Sequence, residues 1–246
     1  MQVKIDIIIL SYGKTEQMRA ITQQCIDSLV LSEDPDKIGF NILVIESEKS
    51  MAPYQYTGSN TIYPDTDFGY NKYMNIGIQA TNNKYICLCN NDLVFHKNWA
   101  TELLKVFDSS SKIVSANPYC DNFDYDIKIK NSGNVIRRDK NPNISGILTG
   151  WCIFTRRSLF DKIGLLDEQF TFWYADTDYE FTLKKHRLIH VLVKSSVVTH
   201  LVSQSHDLLL DKKDELTIGQ KAIFSKKWKH EPLSNKIKRF LRSLFN

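Results

Sequence analysis

The chain has 246 residues, of which 42% are hydrophobic and 24% charged, the balance of a soluble globular protein. No apolar run approaches the roughly 20 residues that span a bilayer, and the five cysteines include no Cys-x-x-Cys pair, which argues against a disulfide framework or a zinc site. Residues 221–246 carry eight basic side chains and one acidic side chain, a net charge of +7. Because the whole chain has a net charge of +4, residues 1–220 have a net charge of −3. This part of the chain therefore lacks the basic surface of a nucleic-acid-binding protein. The residues that follow Met1 lack the small-residue cleavage site of a signal peptide. We therefore expect a cytoplasmic protein with no nucleic acid partner.

The first 46 residues predict a strand, a helix and a second strand. Residues 3–12 are apolar and β-branched. Residues 15–31 repeat apolar side chains at helical spacing, and residues 40–45 are apolar again before Glu46. The apolar stripe of the helix consists of Met18, Ile21, Cys25, Ile26, Leu29 and Val30. Parallel strands joined in this way end at the same edge of a sheet, which would bring Ser11, Tyr12 and Glu46 together.

Two common nucleotide-binding loops are missing from this unit. Only Gly13 follows the first predicted strand, so the Gly-x-Gly-x-x-Gly loop of a dinucleotide-binding site is absent. No Gly-Lys-Ser/Thr loop of a P-loop ATPase or GTPase occurs anywhere in the sequence. These two classes are therefore disfavoured.

The stretch from Tyr85 to His96 predicts a short buried strand that ends in the polar turn Asn90-Asn91-Asp92. Ligands of open α/β sheets bind at the carboxyl ends of such strands. A carboxylate at that place is a hard oxygen ligand for Mg²⁺ or Mn²⁺. The alternative is a plain turn, because Asn and Asp favour turns through their own side-chain hydrogen bonds.

Further elements are predicted on both sides of this stretch. Residues 67–78 predict a loop that enters a helix reaching about Ala80, where Gly69 would permit close backbone approach to a phosphate or sugar; the alternative is a plain helix start capped by Asp67. The polar residues 119–147 predict a binding loop or lid. The remaining predictions are strands at 60–63, 113–116, 135–136, 150–154 and 189–198, and helices at 99–107, 156–163 and 177–187.

Taken in order, the polar clusters resemble the family 2 glycosyltransferases, inverting GT-A enzymes of the bacterial polysaccharide and rhamnosyl-transferring type, over about residues 4–205. The resemblance rests on Ile9-Leu10-Ser11-Tyr12, Val44-Ile45-Glu46-Ser47, Phe68-Gly69-Tyr70 with Asn75-Ile76-Gly77, Asn90-Asn91-Asp92-Leu93, Leu148-Thr149-Gly150-Trp151, Gly164-Leu165-Leu166-Asp167-Glu168-Gln169-Phe170, Trp173-Tyr174-Ala175-Asp176-Thr177-Asp178 and Val198-Thr199-His200. It implies an α/β fold of the GT-A type, Rossmann-like, with a mixed, mainly parallel sheet flanked by helices. Residues 1–210 would form this domain and residues 211–246 a helical tail.

The resemblance also implies a role for each matching residue. The donor would be a UDP- or dTDP-sugar, with Mn²⁺ or Mg²⁺ held by Asp92 and His200. Asp176 would be the general base, with Asp178 as a capping or supporting residue. The acceptor would be a saccharide or a lipid-linked glycan. The donor would contact Ser11, Tyr12, Glu46, Phe68, Gly69, Asn75, Asn90 and Asn91, and the acceptor Gly150, Trp151, Trp173 and Tyr174.

Two residues depart from the family pattern. Asn90 replaces the first acid of the Asp-x-Asp motif, and Ala175 replaces the glutamate that precedes the base. These departures leave open a catalytically silent module that binds a sugar nucleotide or a glycan. A sugar nucleotidyltransferase is disfavoured, because Ser11-Tyr12-Gly13-Lys14 is not a Gly-rich, Arg-containing loop.

The basic tail predicts a helix at 214–228, a break at Pro232 and a second helix from Ser234 to Phe245. The second helix has one apolar face and a basic remainder, a pattern typical of helices that lie on a membrane surface. We therefore expect residues 233–246 to contact the inner face of a membrane. The alternative is docking on the chain's own domain or on a second subunit.

Overall fold

The computed structural model describes residues 2–201 and 219–229, and within them nine strands form one sheet with helices packed on it. The strands are β1 Val3–Ser11, β2 Ile38–Glu46, β3 Asn60–Ile62, β4 Tyr85–Asn90, β5 Leu93–Phe95, β6 Ile113–Cys120, β7 Val135–Arg137, β8 Cys152–Arg156 and β9 Ile189–His200. The helices are α1 Glu16–Leu31, α2 Tyr70–Ala80, α3 Trp99–Ser109, α4 Ile127–Lys130, α5 Phe160–Ile163, α6 Ala175–Lys185 and α7 Gln220–Lys227, with 3₁₀ turns at Lys49–Met51 and Arg157–Leu159.

The strand order is β3-β2-β1-β4-β8-β6-β9-β5, and β7 pairs with β9. The strands β3, β2, β1 and β4 are parallel to one another, as are β6 and β9. β8 runs antiparallel between β4 and β6, and β5 and β7 run antiparallel to β9. The α/β fold with a mixed sheet flanked by helices is therefore confirmed.

The first strand is buried on both faces, as an inner strand of such a sheet must be. Ile7 and Ile9 pack under α1, and Ile8 packs on the opposite face under α2. The Thr15 side chain accepts a hydrogen bond from the Met18 N–H and so begins α1.

The buried face of α1 differs from the predicted stripe at one end. It consists of Thr22, Cys25, Ile26 and Leu29, whereas Val30 is 54% exposed. Val30 lies eight residues after Thr22, at the edge of the apolar stripe, and remains outside the contact with the sheet. A polar residue, Thr22, therefore lies where the helix meets the sheet.

The described part of the predicted tail is α7, which lies within the helix predicted at 214–228. Residues 202–218 and 230–246 lie outside the described residues, and with them the membrane contact predicted for 233–246. Among the described residues, no helix has both the length and the apolar character needed to cross a bilayer.

Candidate active site

Strand β5, which the sequence patterns did not predict, brings Asp92 to His200. It pairs antiparallel with β9 so that Leu93 lies opposite His200, and the Leu201 N–H donates to the Asp92 carbonyl oxygen over 2.8 Å. Asn122 holds the His200 backbone by donating to its carbonyl and accepting from its N–H. The position of both side chains is therefore fixed by backbone pairing.

The Asp92 Oδ1 and His200 Nε2 atoms lie 3.0 Å apart, but not in hydrogen-bonding geometry. Both atoms are buried and neither has a hydrogen-bond partner among the described residues. Such orphaned atoms are costly unless a ligand completes them. A carboxylate oxygen and an imidazole nitrogen suit a divalent cation, so the pair fits the metal site predicted for Asp92 and His200.

The pair would not bind a cation tightly by itself. No group of three or more His, Cys, Asp or Glu side chains that could hold a metal occurs in the part of the chain that the structure describes. Mg²⁺ commonly binds through one or two carboxylates together with substrate phosphates. The arrangement therefore fits a cation that arrives with, or is completed by, a diphosphate.

A buried polar network connects several of the residues predicted to bind the donor. The Ser11 hydroxyl lies 2.9 Å from Thr22 Oγ1 and 3.2 Å from the Tyr56 hydroxyl. Asn91 Nδ2 donates to Thr22 Oγ1, and the Tyr56 hydroxyl donates to Glu46 Oε2. Ser11, Glu46 and Asn91 thus lie together, as the shared sheet edge predicted.

Glu46 is fully buried and its oxygens already have partners within the chain. Oε1 accepts from the Gly13 and Glu48 N–H groups, and Oε2 from Tyr56. The predicted contact between Glu46 and a base or ribose would therefore need Tyr56 to move. Tyr12 is half-buried. The Ser50 hydroxyl is the main group that holds the pKa of Glu48 below its usual range, and the Tyr12 hydroxyl adds a smaller effect in the same direction.

The residues around the start of α2 have different roles. Gly69 precedes the helix, so the alternative cap by Asp67 is not formed, and Phe68 is 41% exposed. Asn75 was predicted to bind the donor, but it is buried and its amide binds the Leu166 backbone and Glu168 Oε1. Asn75 therefore tethers the loop before α6, and its contact with a donor stays a prediction.

Asp176 lies in the first turn of α6, against Gly150. A Cβ added at Gly150 would lie 3.3 Å from the Asp176 Cβ. Burial raises the pKa of the Asp176 carboxyl, although hydrogen bonds from the Thr177 backbone and hydroxyl oppose this. A carboxylate with a raised pKa is a better proton acceptor near neutral pH.

The dipeptide Gly150-Trp151 connects Asp176 with the Asp92–His200 pair. The Trp151 ring stacks on His200, with centroids 5.3 Å apart, and its carbonyl accepts from the Asn90 N–H. The Gly150 carbonyl accepts from the Tyr70 hydroxyl over 3.0 Å. One continuous set of contacts therefore runs from the possible base to the possible metal ligands.

Two residues predicted to bind the acceptor pack against other aromatic side chains. Tyr174 is buried, and its ring packs on Phe224 of α7 with centroids 5.3 Å apart. Trp173 is half-buried and packs edge-on against Phe172. Tyr174 therefore forms part of the surface on which α7 packs, and its contact with an acceptor stays a prediction.

Asp178 also contacts the segment that contains α7. Its oxygens accept from Trp228 Nε1 over 2.8 Å and from Lys227 Nζ over 2.9 Å. Gln220 adds hydrogen bonds to the Thr171 N–H and the Gln169 carbonyl. The segment that carries Asp176 is thus held by a helix from the predicted tail.

The sequence patterns missed Thr22, Tyr56 and Tyr70. Thr22 has a visible signal, since it is a polar residue in the middle of an apolar helical stripe. Tyr56 lies in a polar loop and Tyr70 at a helix start, where an aromatic residue signals nothing specific. Their roles depend on partners that are distant in sequence.

Comparisons with known proteins identify the family and the fold. The family model described as glycosyl transferase family 2 matches residues 6–164, a stretch that contains Asp92 and ends before Asp176 and His200. No curated protein matches the sequence.

Three solved structures share the fold at low identity. GalNAc-T7 with UDP, GalNAc and Mn²⁺ has a TM-score of 0.63 at 13% identity, over 81% of this chain and 43% of that one. TarS 1-349 of S. aureus has a TM-score of 0.57 at 13% identity, over 80% and 59%. The mannosyltransferase PcManGT from Pyrobaculum calidifontis, in complex with GDP-Man and Mn²⁺, has a TM-score of 0.65 at 12% identity, over 98% and 69%.

The chain therefore spans less than two thirds of the first two of these proteins. At these identities the solved structures show the fold alone. The family model matches more than half of the chain, and we conclude that the chain belongs to glycosyl transferase family 2.

Proposed function

We propose that the chain transfers a sugar from a nucleoside diphosphate donor to a glycan acceptor, with inversion at the anomeric carbon. The observation that carries the proposal is the contact path Asp92–His200–Trp151–Gly150–Asp176. One end offers two orphaned ligand atoms, and the other a carboxylate with a raised pKa. Two of the similar structures contain Mn²⁺ with UDP or GDP-Man, which supports a donor of this class.

The chemistry is a single displacement. The acceptor hydroxyl gives its proton to the Asp176 carboxylate while its oxygen bonds to the anomeric carbon. The bond from that carbon to the diphosphate breaks, and the electron pair leaves with the diphosphate. A divalent cation bound by Asp92 and His200 would neutralise this leaving group.

The network of Ser11, Thr22 and Tyr56 is proposed as the floor of the nucleotide pocket. A uracil or thymine base in the donor is a prediction from the sequence resemblance, and so is a lipid-linked acceptor. The cytoplasmic location and the peripheral membrane contact likewise remain predictions.

The second candidate is a binding module without turnover, and Ala175 is the residue that favours it. Ala175 is buried among Phe170, Tyr174 and Phe224, where a glutamate would be desolvated. The side chain that normally precedes the base therefore cannot simply be restored at this position.

Turnover separates the two candidates. UDP-, dTDP- and GDP-sugars are incubated with the full chain and Mn²⁺, and release of the diphosphate is measured with and without saccharide acceptors. Asp176→Asn should lower transfer by about 10²–10⁴-fold, the usual contribution of a general base, while donor affinity is retained. Asp92→Ala should remove the Mn²⁺-dependent donor affinity.

The control is Asp161→Asn, a change of the same kind at an exposed position of α5. It should leave both quantities unchanged. Donor binding without release of the diphosphate by any acceptor would favour the silent module. Full transfer by Asp176→Asn would show that another residue accepts the proton.

A further inference from the structure

Two cavities lie side by side along α6, and only the first is next to the proposed base. The first, of about 140 Å³, is lined by Asp176 and Thr177 together with the loop of residues 142–146. The second, of about 340 Å³, extends along α6 to Lys184 and Arg187. Both are lined by Arg138, Pro142, Leu148, Glu180 and Phe181.

An ion pair lies on the boundary between the two cavities. Arg138 Nε donates to Glu180 Oε1 over 2.8 Å, and a second guanidinium nitrogen lies 2.6 Å from the same oxygen. Arg138 also donates to the carbonyls of Asn141 and Ile144, which fixes the loop over the cavities. Both charged side chains keep about a fifth of their surface exposed, at 17% and 23%, so they can still meet a ligand.

The geometry along α6 sets the direction of the groove. Glu180 follows Asp176 by four residues, so both carboxylates lie on one face of the helix, one turn apart. A ring bound in the first cavity would present its hydroxyl to Asp176. The next ring of the same molecule would then lie over the Arg138–Glu180 pair.

The lining of the second cavity suits a saccharide. It combines the apolar surfaces of Pro142, Leu148 and Phe181 with the partly exposed Arg138–Glu180 ion pair, and Lys184 and Arg187 line its far end. Pockets that are mostly apolar with a few placed polar groups are the usual form of small-molecule sites, and about 300 Å³ is the lower end of their volumes. The first cavity alone falls below that range.

We propose that the second cavity is a subsite for the penultimate sugar of the acceptor, with the Arg138–Glu180 pair as its specificity determinant. This rests on the proposed transferase function. The acceptor is then a disaccharide or a longer glycan, and a monosaccharide occupies only half of the groove. The subsite differs from the acceptor residues expected from sequence, of which Tyr174 is buried under α7.

The test measures binding of matched saccharides to the full chain with UDP and Mg²⁺, by saturation-transfer NMR titration. The pairs are methyl β-glucoside with methyl β-cellobioside, methyl β-galactoside with methyl β-lactoside, and methyl α-mannoside with methyl α-mannobioside. At least one disaccharide should bind about tenfold more tightly than its monosaccharide, a difference of 1.4 kcal/mol. Equal affinities in all three pairs would overturn the proposal.

Variants assign the preference to the ion pair. Glu180→Gln should reduce the disaccharide-to-monosaccharide affinity ratio to near one, and Arg138→Lys, which keeps the charge but loses the planar fork, should reduce it in part. Asp161→Asn should keep the wild-type ratio. An unchanged ratio in Glu180→Gln would remove the pair from the subsite.

A second measurement uses no variant and so does not depend on how Glu180→Gln folds. Hydrogen exchange of the wild-type chain is compared with each member of a pair bound. The disaccharide should add protection at residues 138–148 and 180–188 beyond that given by the monosaccharide, and equal protection would contradict the subsite. Hydrolysis of a nucleoside diphosphate sugar that requires Mn²⁺ and Asp92 is measured on a separate portion of the same protein preparation, so loss of the subsite is distinguished from failure of the proposed function.

Discussion

The hydrogen bond from Trp228 to Asp178 makes a prediction about how α7 stabilises the domain. Asp178 is 3% exposed, and its Oδ1 accepts from the indole Nε1 over 2.8 Å. Trp228→Phe removes this donor and keeps an aromatic ring in the cluster with Phe181. Lys227 is expected to stay beside Asp178 in this variant, because it also forms an ion pair with Asp167 over 2.8 Å.

The magnitude follows from the charge of the acceptor. A hydrogen bond to a charged group contributes about 1.5–3 kcal/mol, and losing it leaves a buried carboxylate short of one partner. The truncated indole adds a packing loss that has nothing to do with Asp178. A double-mutant cycle with Asp178→Ala cancels that loss, and we expect a coupling free energy of about 1.5–3 kcal/mol.

The sign of the pH dependence can also be worked out. Burial raises the pKa of Asp178, while Lys227 and Trp228 oppose the rise. A carboxyl whose pKa is raised by folding favours the folded state below its unfolded pKa and loses this advantage as the pH rises through the folded pKa. Trp228→Phe raises that pKa further, so the variant should be more destabilised at pH 7 than at pH 4.

Urea unfolding of the four proteins of the cycle, followed by far-UV circular dichroism, measures the coupling. The same cycle with Asp161→Asn in place of Asp178→Ala should be additive within about 0.5 kcal/mol, because the two sites share no partner. A Trp228–Asp178 coupling below about 0.5 kcal/mol would refute the hydrogen bond as a stabilising contact. A destabilisation that grows as the pH falls would contradict the assigned charge.

Three further predictions concern the site and its support. The rate of transfer should fall as the pH drops through a pKa that burial raises above the ordinary aspartate value, because only the ionised Asp176 accepts a proton; the pH profile of kcat/KM measures this. Glu33→Ala should lower the free energy of unfolding by about 1–2 kcal/mol in urea titrations, because Glu33 accepts from the first N–H groups of α3. Gly150→Ala should lower kcat by up to about tenfold and leave donor affinity intact. The new Cβ would lie 3.3 Å from the Asp176 Cβ and would shift the base by a few tenths of an ångström. An unchanged kcat would show that Asp176 tolerates the shift.

The parts of the fold that follow local patterns could be predicted from the sequence. In the β1-α1-β2 unit, apolar runs form the two strands and apolar side chains at helical spacing form the helix, and β4 is an apolar run bounded by polar residues. The end of α5 at Gly164 is also local, because this residue adopts a φ of 76° that other residues rarely tolerate. Each of these elements depends on residues within a few positions of one another.

The start of α3 shows why other features could not be predicted. Its N-cap residue, Asn98, makes no capping hydrogen bond, and Glu33 from the end of α1 binds the helix N–H groups instead. In the sequence Glu33 stands in a Glu-Asp-Pro-Asp stretch, which indicates the end of a helix and gives no sign of a distant partner. Asn75, in the middle of α2, is ambiguous in the same way, because a helix amide suits a ligand and a tertiary tether equally well.

The site itself depends on the sheet topology more than on any motif. The turn after β4 leads directly into β5, and the pairing of β5 with the end of β9 sets Asp92 beside His200. The residues just before β8, which pairs antiparallel with β4, put Gly150 and Trp151 next to the same turn. α6 begins against Gly150 and so delivers Asp176 on the other side of that dipeptide. The first helix of the predicted tail, α7, then holds α6 through Asp178 and so becomes part of the support for the proposed base.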